Sequence, residues 1–122
     1  MKEQIIERMN SYFEERIAEC DRRGRELSKD GRGDETVFER IKANVYDIFR
    51  TVLAAADKAC GGDEEKVCRF YIDRLEKIPS GWVTSYENAR KHDDAVKMQI
   101  ESIKLDTVAE IREYFNKISE EA

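Results

Sequence analysis

The chain has 122 residues, of which 40% are charged and 40% are hydrophobic, with one proline and six glycines. This balance is typical of long amphipathic helices rather than of sheets or disordered tails. The net charge is −5, from 27 acidic and 22 basic residues, which disfavours direct binding to nucleic acid. The longest unbroken apolar run, Val52 to Ala56, is far shorter than the roughly 20 residues of a membrane span, so no membrane partner is expected.

The length fits one domain over residues 1–122. The first residues are charged and carry no apolar segment of a signal peptide. Three cysteines are an odd count without a paired spacing, which is typical of reduced thiols in a cytosol. The sequence therefore predicts a cytoplasmic protein.

The first helix is predicted to begin near Lys2 and to reach about Ser28. Gly24 lies on its apolar stripe, where a glycine costs about 1 kcal/mol relative to alanine. Either a neighbouring helix approaches closely there, or the helix frays after Arg23, and we favour a helix that continues to about Ser28. Residues 29–33 then form a loop.

The second helix has the strongest pattern in the chain, with apolar residues at a spacing of three and four over more than six turns. We expect it to be the core helix against which the rest of the chain packs. Asp34 or Thr36 is expected to cap its start, and Gly61 and Gly62 are expected to end it. The side chains predicted to face the core are Val37, Phe38, Ile41, Val45, Ile48, Phe49, Val52, Leu53, Ala56 and Cys60.

A short third helix is predicted between a cap at Asp63 and Pro79, because proline disfavours a helical residue before it and cannot donate a backbone hydrogen bond. Tight turns precede and follow this helix, so its neighbours along the chain are expected to pack against it in opposite directions. The predicted fold is all-α, a four-helix or five-helix antiparallel bundle.

The last segment admits two interpretations. Thr84 and Glu87 are spaced as a capping box, which predicts a helix from Ser85. Thr107 and Glu110 have the same spacing and predict a separate fifth helix, whereas the apolar heptad through Thr107 predicts one helix over residues 85–119. A continuous helix would be about 52 Å long, against about 36 Å for the second helix, and would extend beyond the bundle.

Such an extension would expose Ile111, Phe115 and Ile118, which need a partner. Together with Trp82, these residues form the predicted interface. The preferred functional hypothesis is a non-catalytic interaction module or small regulator that acts as a homodimer or binds another protein.

The alternative is a small enzyme or small-molecule-binding protein with a site between the helices, near Cys20, Tyr71, Tyr86 or His92. No catalytic motif is present, which favours a protein that is not an enzyme. The single histidine, His92, has no second metal ligand one helical turn away, so neither a metal nor another cofactor is predicted.

Overall fold

The computed structural model describes residues 3–121, with side chains described over residues 5–121, and within this range the protein is all-α. Five helices follow one another along the chain: α1 (Glu3–Lys29), α2 (Gly33–Ala59), α3 (Glu64–Lys77), α4 (Ser80–Lys91) and α5 (Ala95–Glu121). Over residues 3–121, none of them is both long and apolar enough to cross a membrane.

Helix α1 continues through Gly24 as predicted, and α2 packs against it there. The Thr36 hydroxyl donates to the Gly24 carbonyl oxygen over 3.3 Å, and a Cβ atom built on Gly24 would lie 3.9 Å from the Thr36 methyl group. The predicted side-chain cap at the start of α2, Asp34 or Thr36, is wrong, because this helix already begins at Gly33 without a side-chain cap. Its first turn instead carries Asp34, whose charge suits the positive end of the helix dipole.

The junction between α2 and α3 has the predicted chemistry. Gly61 and Gly62 have φ angles of 59° and 80°, the left-handed conformation that closes a helix at little cost for glycine. Asp63 caps α3 by accepting from the backbone N–H of Lys66 over 3.4 Å.

Helix α4 begins earlier than predicted, directly after Pro79. Thr84 lies inside it and donates its hydroxyl to the Ser80 carbonyl oxygen over 3.2 Å. The predicted capping box of Thr84 and Glu87 is therefore wrong.

The core lies between α1, α2, α3 and α5. Of the ten α2 side chains predicted to face the core, four are buried and four are half-buried. Val37 is 43% exposed and Ile48 is 40% exposed, whereas Tyr46 is buried. The inward face is rotated toward Tyr46 because α1 and α5 both pack on that side. The buried core residues are Ile5, Met9, Tyr12, Phe13, Cys20, Val45, Tyr46, Phe49, Leu53, Ala56, Val67, Tyr71, Leu75, Val108, Ile111, Phe115 and Ile118.

Helix α4 and helix α5 are separated by a break in the helical structure at residues 92–94. Neither of the two predicted interpretations places a break there. Asp93 has a φ angle of 52°, and Asp94 caps α5 by accepting from the backbone N–H of Lys97 over 3.1 Å. The helix then continues through Thr107, whose hydroxyl donates to the Ile103 carbonyl oxygen over 2.7 Å. The separate fifth helix predicted from Thr107 is therefore wrong.

This break removes the predicted extension. Helices α1, α2 and α5 all contain 27 residues, about 40 Å each, so α5 has the length of the helices that it packs against. Ile111, Phe115 and Ile118 are 0%, 1% and 0% exposed and belong to the core of the chain itself. They therefore present no surface to a second copy or to another protein.

Candidate functional site

Two buried tyrosines and one glutamate connect α1, α2 and α5. The hydroxyl of Tyr12 donates to Glu110 Oε1 over 3.0 Å, and the hydroxyl of Tyr46 donates to Glu110 Oε2 over 2.7 Å. The Tyr12 ring stacks on Tyr114 with centroids 4.1 Å apart and meets Tyr46 edge-on at 6.1 Å. Burial, with the nearby Glu110 carboxylate, raises the pKa of both Tyr12 and Tyr46. Both hydroxyls therefore remain donors at neutral pH.

Beside this cluster, two adjoining cavities of about 360 and 560 Å³ lie between α1, α2 and α5. They share four lining residues and are called the three-helix cleft from here on. The cleft is lined by Arg16, Glu19, Cys20, Arg23, Glu26, Leu27, Asp30, Arg32, Glu35, Phe38, Glu39, Lys42, Tyr46, Gln99, Ile103, Asp106, Thr107 and Glu110.

The lining of the three-helix cleft combines apolar side chains with charged ones. Leu27, Phe38 and Ile103, one from each helix, are half-buried and line the larger cavity. Along α2, the buried Glu39 carboxylate pairs with Lys42, with Nζ 3.1 Å from Oε2. Among the described lining residues, seven are acidic and four are basic, so the lining has a net charge of about −3 at neutral pH.

Cys20 is the only one of the four predicted enzyme-site residues that lines the described cleft. Its thiol is buried, and this burial, with the nearby Glu39 carboxylate, raises its pKa to about 11. Because the thiolate is the nucleophile, the thiol is poorly suited to covalent chemistry near neutral pH.

The other three predicted enzyme-site residues lie elsewhere. Tyr71 is fully buried in α3, and Tyr86 lies half-buried on α4. His92 is exposed at the end of α4, with Nδ1 2.8 Å from the Asn88 carbonyl oxygen. No group of three metal-binding side chains is found within residues 5–121.

Trp82, the remaining predicted interface residue, is half-buried at the start of α4. Its ring meets Phe49 edge-on with centroids 6.2 Å apart, and Lys104 Nζ lies 4.9 Å from the ring centroid. A cation over an indole ring stabilises by about 0.5 to 2 kcal/mol, so these contacts hold α4 against α2 and α5.

A further cavity of about 560 Å³ lies along the contact between α1 and α2 alone. Its lining includes the small residues Ala18, Gly24 and Ala43, and its polar lining consists largely of exposed charged side chains. Neither the Tyr46 hydroxyl nor the Glu110 carboxylate, which line the three-helix cleft, belongs to the lining of this cavity.

The chain matches no protein-family model, and the comparisons with curated proteins and with solved structures give no match either. The candidate site is therefore argued from the geometry and chemistry of its own residues.

Proposed function

We propose that this protein is a non-catalytic interaction module whose three-helix cleft receives a segment of a partner protein. The observation that carries the proposal is the set of half-buried apolar side chains, Leu27, Phe38 and Ile103, within a charged cleft. Protein interfaces combine an apolar centre with a polar rim in this way.

The dimensions of the cleft suit a peptide segment. Its lining on α2 runs from Glu35 to Tyr46, a rise of about 16 Å along the helix axis. That length accommodates about three turns of a partner helix. An amphipathic helix in a groove is a recurrent mode of peptide recognition, with apolar anchors one turn apart.

The charge of the cleft favours a basic partner. Asp30 and Asp106 line its two cavities, and the whole lining has more acidic than basic groups. A segment that presents leucine-like side chains inward and lysine or arginine at its edges would complement both features.

The antiparallel bundle predicted from the sequence forms part of the proposal. It is supported by two contacts between α1 and α2, one joining Tyr12 to Tyr46 and the other joining Gly24 to Thr36. The proposal does not include self-association, because Ile111, Phe115 and Ile118, which were predicted to mediate it, are buried. The cytoplasmic location stays a prediction.

A small-molecule site is the alternative, and one observation favours it. Cys20, Tyr46, Thr107 and Glu110 all line the 360 Å³ cavity at one end of the cleft, a volume typical of ligand pockets. A ligand confined to this end would be insensitive to Phe38, which lines only the larger cavity.

The test is the binding of a fluorescent synthetic peptide of about 12 residues, amphipathic and helical, with leucine on one face and arginine on the other. Wild type should show saturable binding by anisotropy. Ile103→Asn should weaken it about tenfold, since truncating an interface anchor costs more than 1 kcal/mol. Val96→Asn is the matched control on the same helix, because Val96 is 70% exposed and lies outside the cleft.

Circular dichroism should first show equal helicity for the two variants. Absence of saturable binding to wild type would contradict the proposal. Equal affinity of the Ile103→Asn and Val96→Asn variants would also contradict it, since unspecific attraction to an acidic surface does not depend on Ile103.

A further inference from the structure

The Glu110 carboxylate is held in a fixed orientation at the smaller cavity of the three-helix cleft. One tyrosine hydroxyl donates to each of its oxygens, Tyr12 to Oε1 and Tyr46 to Oε2. Both tyrosines are themselves buried and packed ring against ring. The carboxylate therefore loses little conformational entropy when it binds a further group.

This carboxylate also has capacity for another partner. A carboxylate offers about four acceptor positions, of which the two hydroxyls occupy two. Glu110 is exposed to solvent, and within residues 5–121 it forms no ion pair.

Two of the three basic side chains that line the same cavity interact with groups other than Glu110. Lys42 is paired with Glu39, and the Arg16 guanidinium carbon lies 5.9 Å from the centre of the Tyr12 ring. Arg23 also lines the cavity and adds positive charge there. Four acidic and three basic groups line this cavity, so the position of Glu110 would direct an entering cation more than the overall charge would.

Building on the proposed function, we infer that Glu110 receives the guanidinium group of an arginine on the partner segment. Its two oxygens lie side by side, and a guanidinium presents two parallel N–H groups that match this spacing. Tyr12 and Tyr46 act as positioning residues, since their hydroxyls orient the carboxylate. The specificity of the cleft is then for a segment with apolar anchors and one arginine at the Glu110 end.

The test compares two peptides that differ at one position, which carries arginine in one and the neutral isostere citrulline in the other. Wild type should bind the arginine peptide about tenfold more tightly, a difference of about 1.4 kcal/mol, because only the guanidinium forms charge-assisted hydrogen bonds with Glu110. Glu110→Gln should abolish this preference. Glu120→Gln, an exposed position on the same helix that does not line the cleft, should retain it.

Tyr46→Phe gives a second measurement that keeps the charge of Glu110. It should reduce the preference for arginine only in part, because Tyr12 still donates to the other carboxylate oxygen. Binding of both peptides with equal affinity to wild type, or full preference in Glu110→Gln, would overturn the inference and leave the proposed function standing. Failure of both peptides to bind wild type would overturn the proposed function as well.

Discussion

Tyr71 of α3 donates a hydrogen bond from its hydroxyl to the backbone carbonyl oxygen of Phe49, in the middle of α2, over 3.0 Å. The same tyrosine ring meets Phe115 of α5 edge-on, with centroids 5.2 Å apart. One fully buried side chain thus joins three helices through a polar and an aromatic contact. These contacts connect α2 and α5, which form two walls of the three-helix cleft.

We expect Tyr71→Phe to lower the free energy of unfolding by about 1 kcal/mol. The ring and its packing remain, and the Phe49 carbonyl keeps its position as an acceptor within α2, so only the additional hydrogen bond is lost. Denaturant titration measures the change. An unchanged midpoint would contradict a hydrogen bond that contributes to stability.

Phe49→Ala should cost about 3 to 5 kcal/mol, by lost transfer energy together with the cavity that remains. Phe49 is fully buried, whereas its neighbour Ile48 is 40% exposed, so Ile48→Ala is a control one residue away. The control should lose much less stability. A loss below about 1 kcal/mol for Phe49→Ala would mean that the wrong face of α2 has been placed inward.

The protein should lose stability at alkaline pH. Burial raises the pKa of Tyr71, and burial with the Glu110 carboxylate raises those of Tyr12 and Tyr46. Below about pH 10 both the folded and the unfolded chains keep these protons, so the contribution is fully present there. Above that pH the unfolded chain releases them first, and stability falls.

Unfolding free energies between pH 8 and pH 11 measure this effect, and Tyr71→Phe should show a shallower decline because one such proton is absent. Burial also raises the pKa of Cys20, to about 11, which acts in the same direction. A stability that is flat over this range would contradict buried, protonated tyrosines.

Phe115→Ala should destabilise the folded chain by about 3 to 5 kcal/mol without changing the mass of the folded species. The reason is that Phe115 packs against Tyr71 within one chain. Light scattering combined with denaturant titration distinguishes this from the interface predicted from the sequence. A change from dimer to monomer at unchanged stability would show that Phe115 belongs to an interface.

Local signals in the sequence predicted much of the fold. The glycine pair at Gly61 and the cap at Asp63 act within a few residues, so their chemistry determines the helix ends directly. The break before α5 has a comparable signal in Asp94. The sequence patterns through Thr107 instead predicted either a helix start at Thr107 or one continuous helix. Tertiary packing decided the α2 face, since a rotation by part of a turn exchanges Ile48 for Tyr46.

The cleft could not be predicted in the same way. Tyr12 and Glu110 are 98 residues apart in the sequence, and each resembles an ordinary core or surface residue until α1, α2 and α5 are packed together. The charged side chains of the cleft also follow no periodic pattern that distinguishes them from solvated helix faces. Among the residues that line the cleft, only Cys20 was predicted from the sequence to lie near a functional site.

The most direct measurement of the proposed function is a methyl NMR titration of the full chain with the amphipathic arginine peptide. We predict that the methyl signals of Leu27 and Ile103 shift together and saturate at the same peptide concentration. Those of Val96 and Ile72, exposed positions outside the cleft, should stay in place. Shifts concentrated at Val96 or Ile72, with Leu27 and Ile103 unchanged, would contradict the three-helix cleft as the binding site.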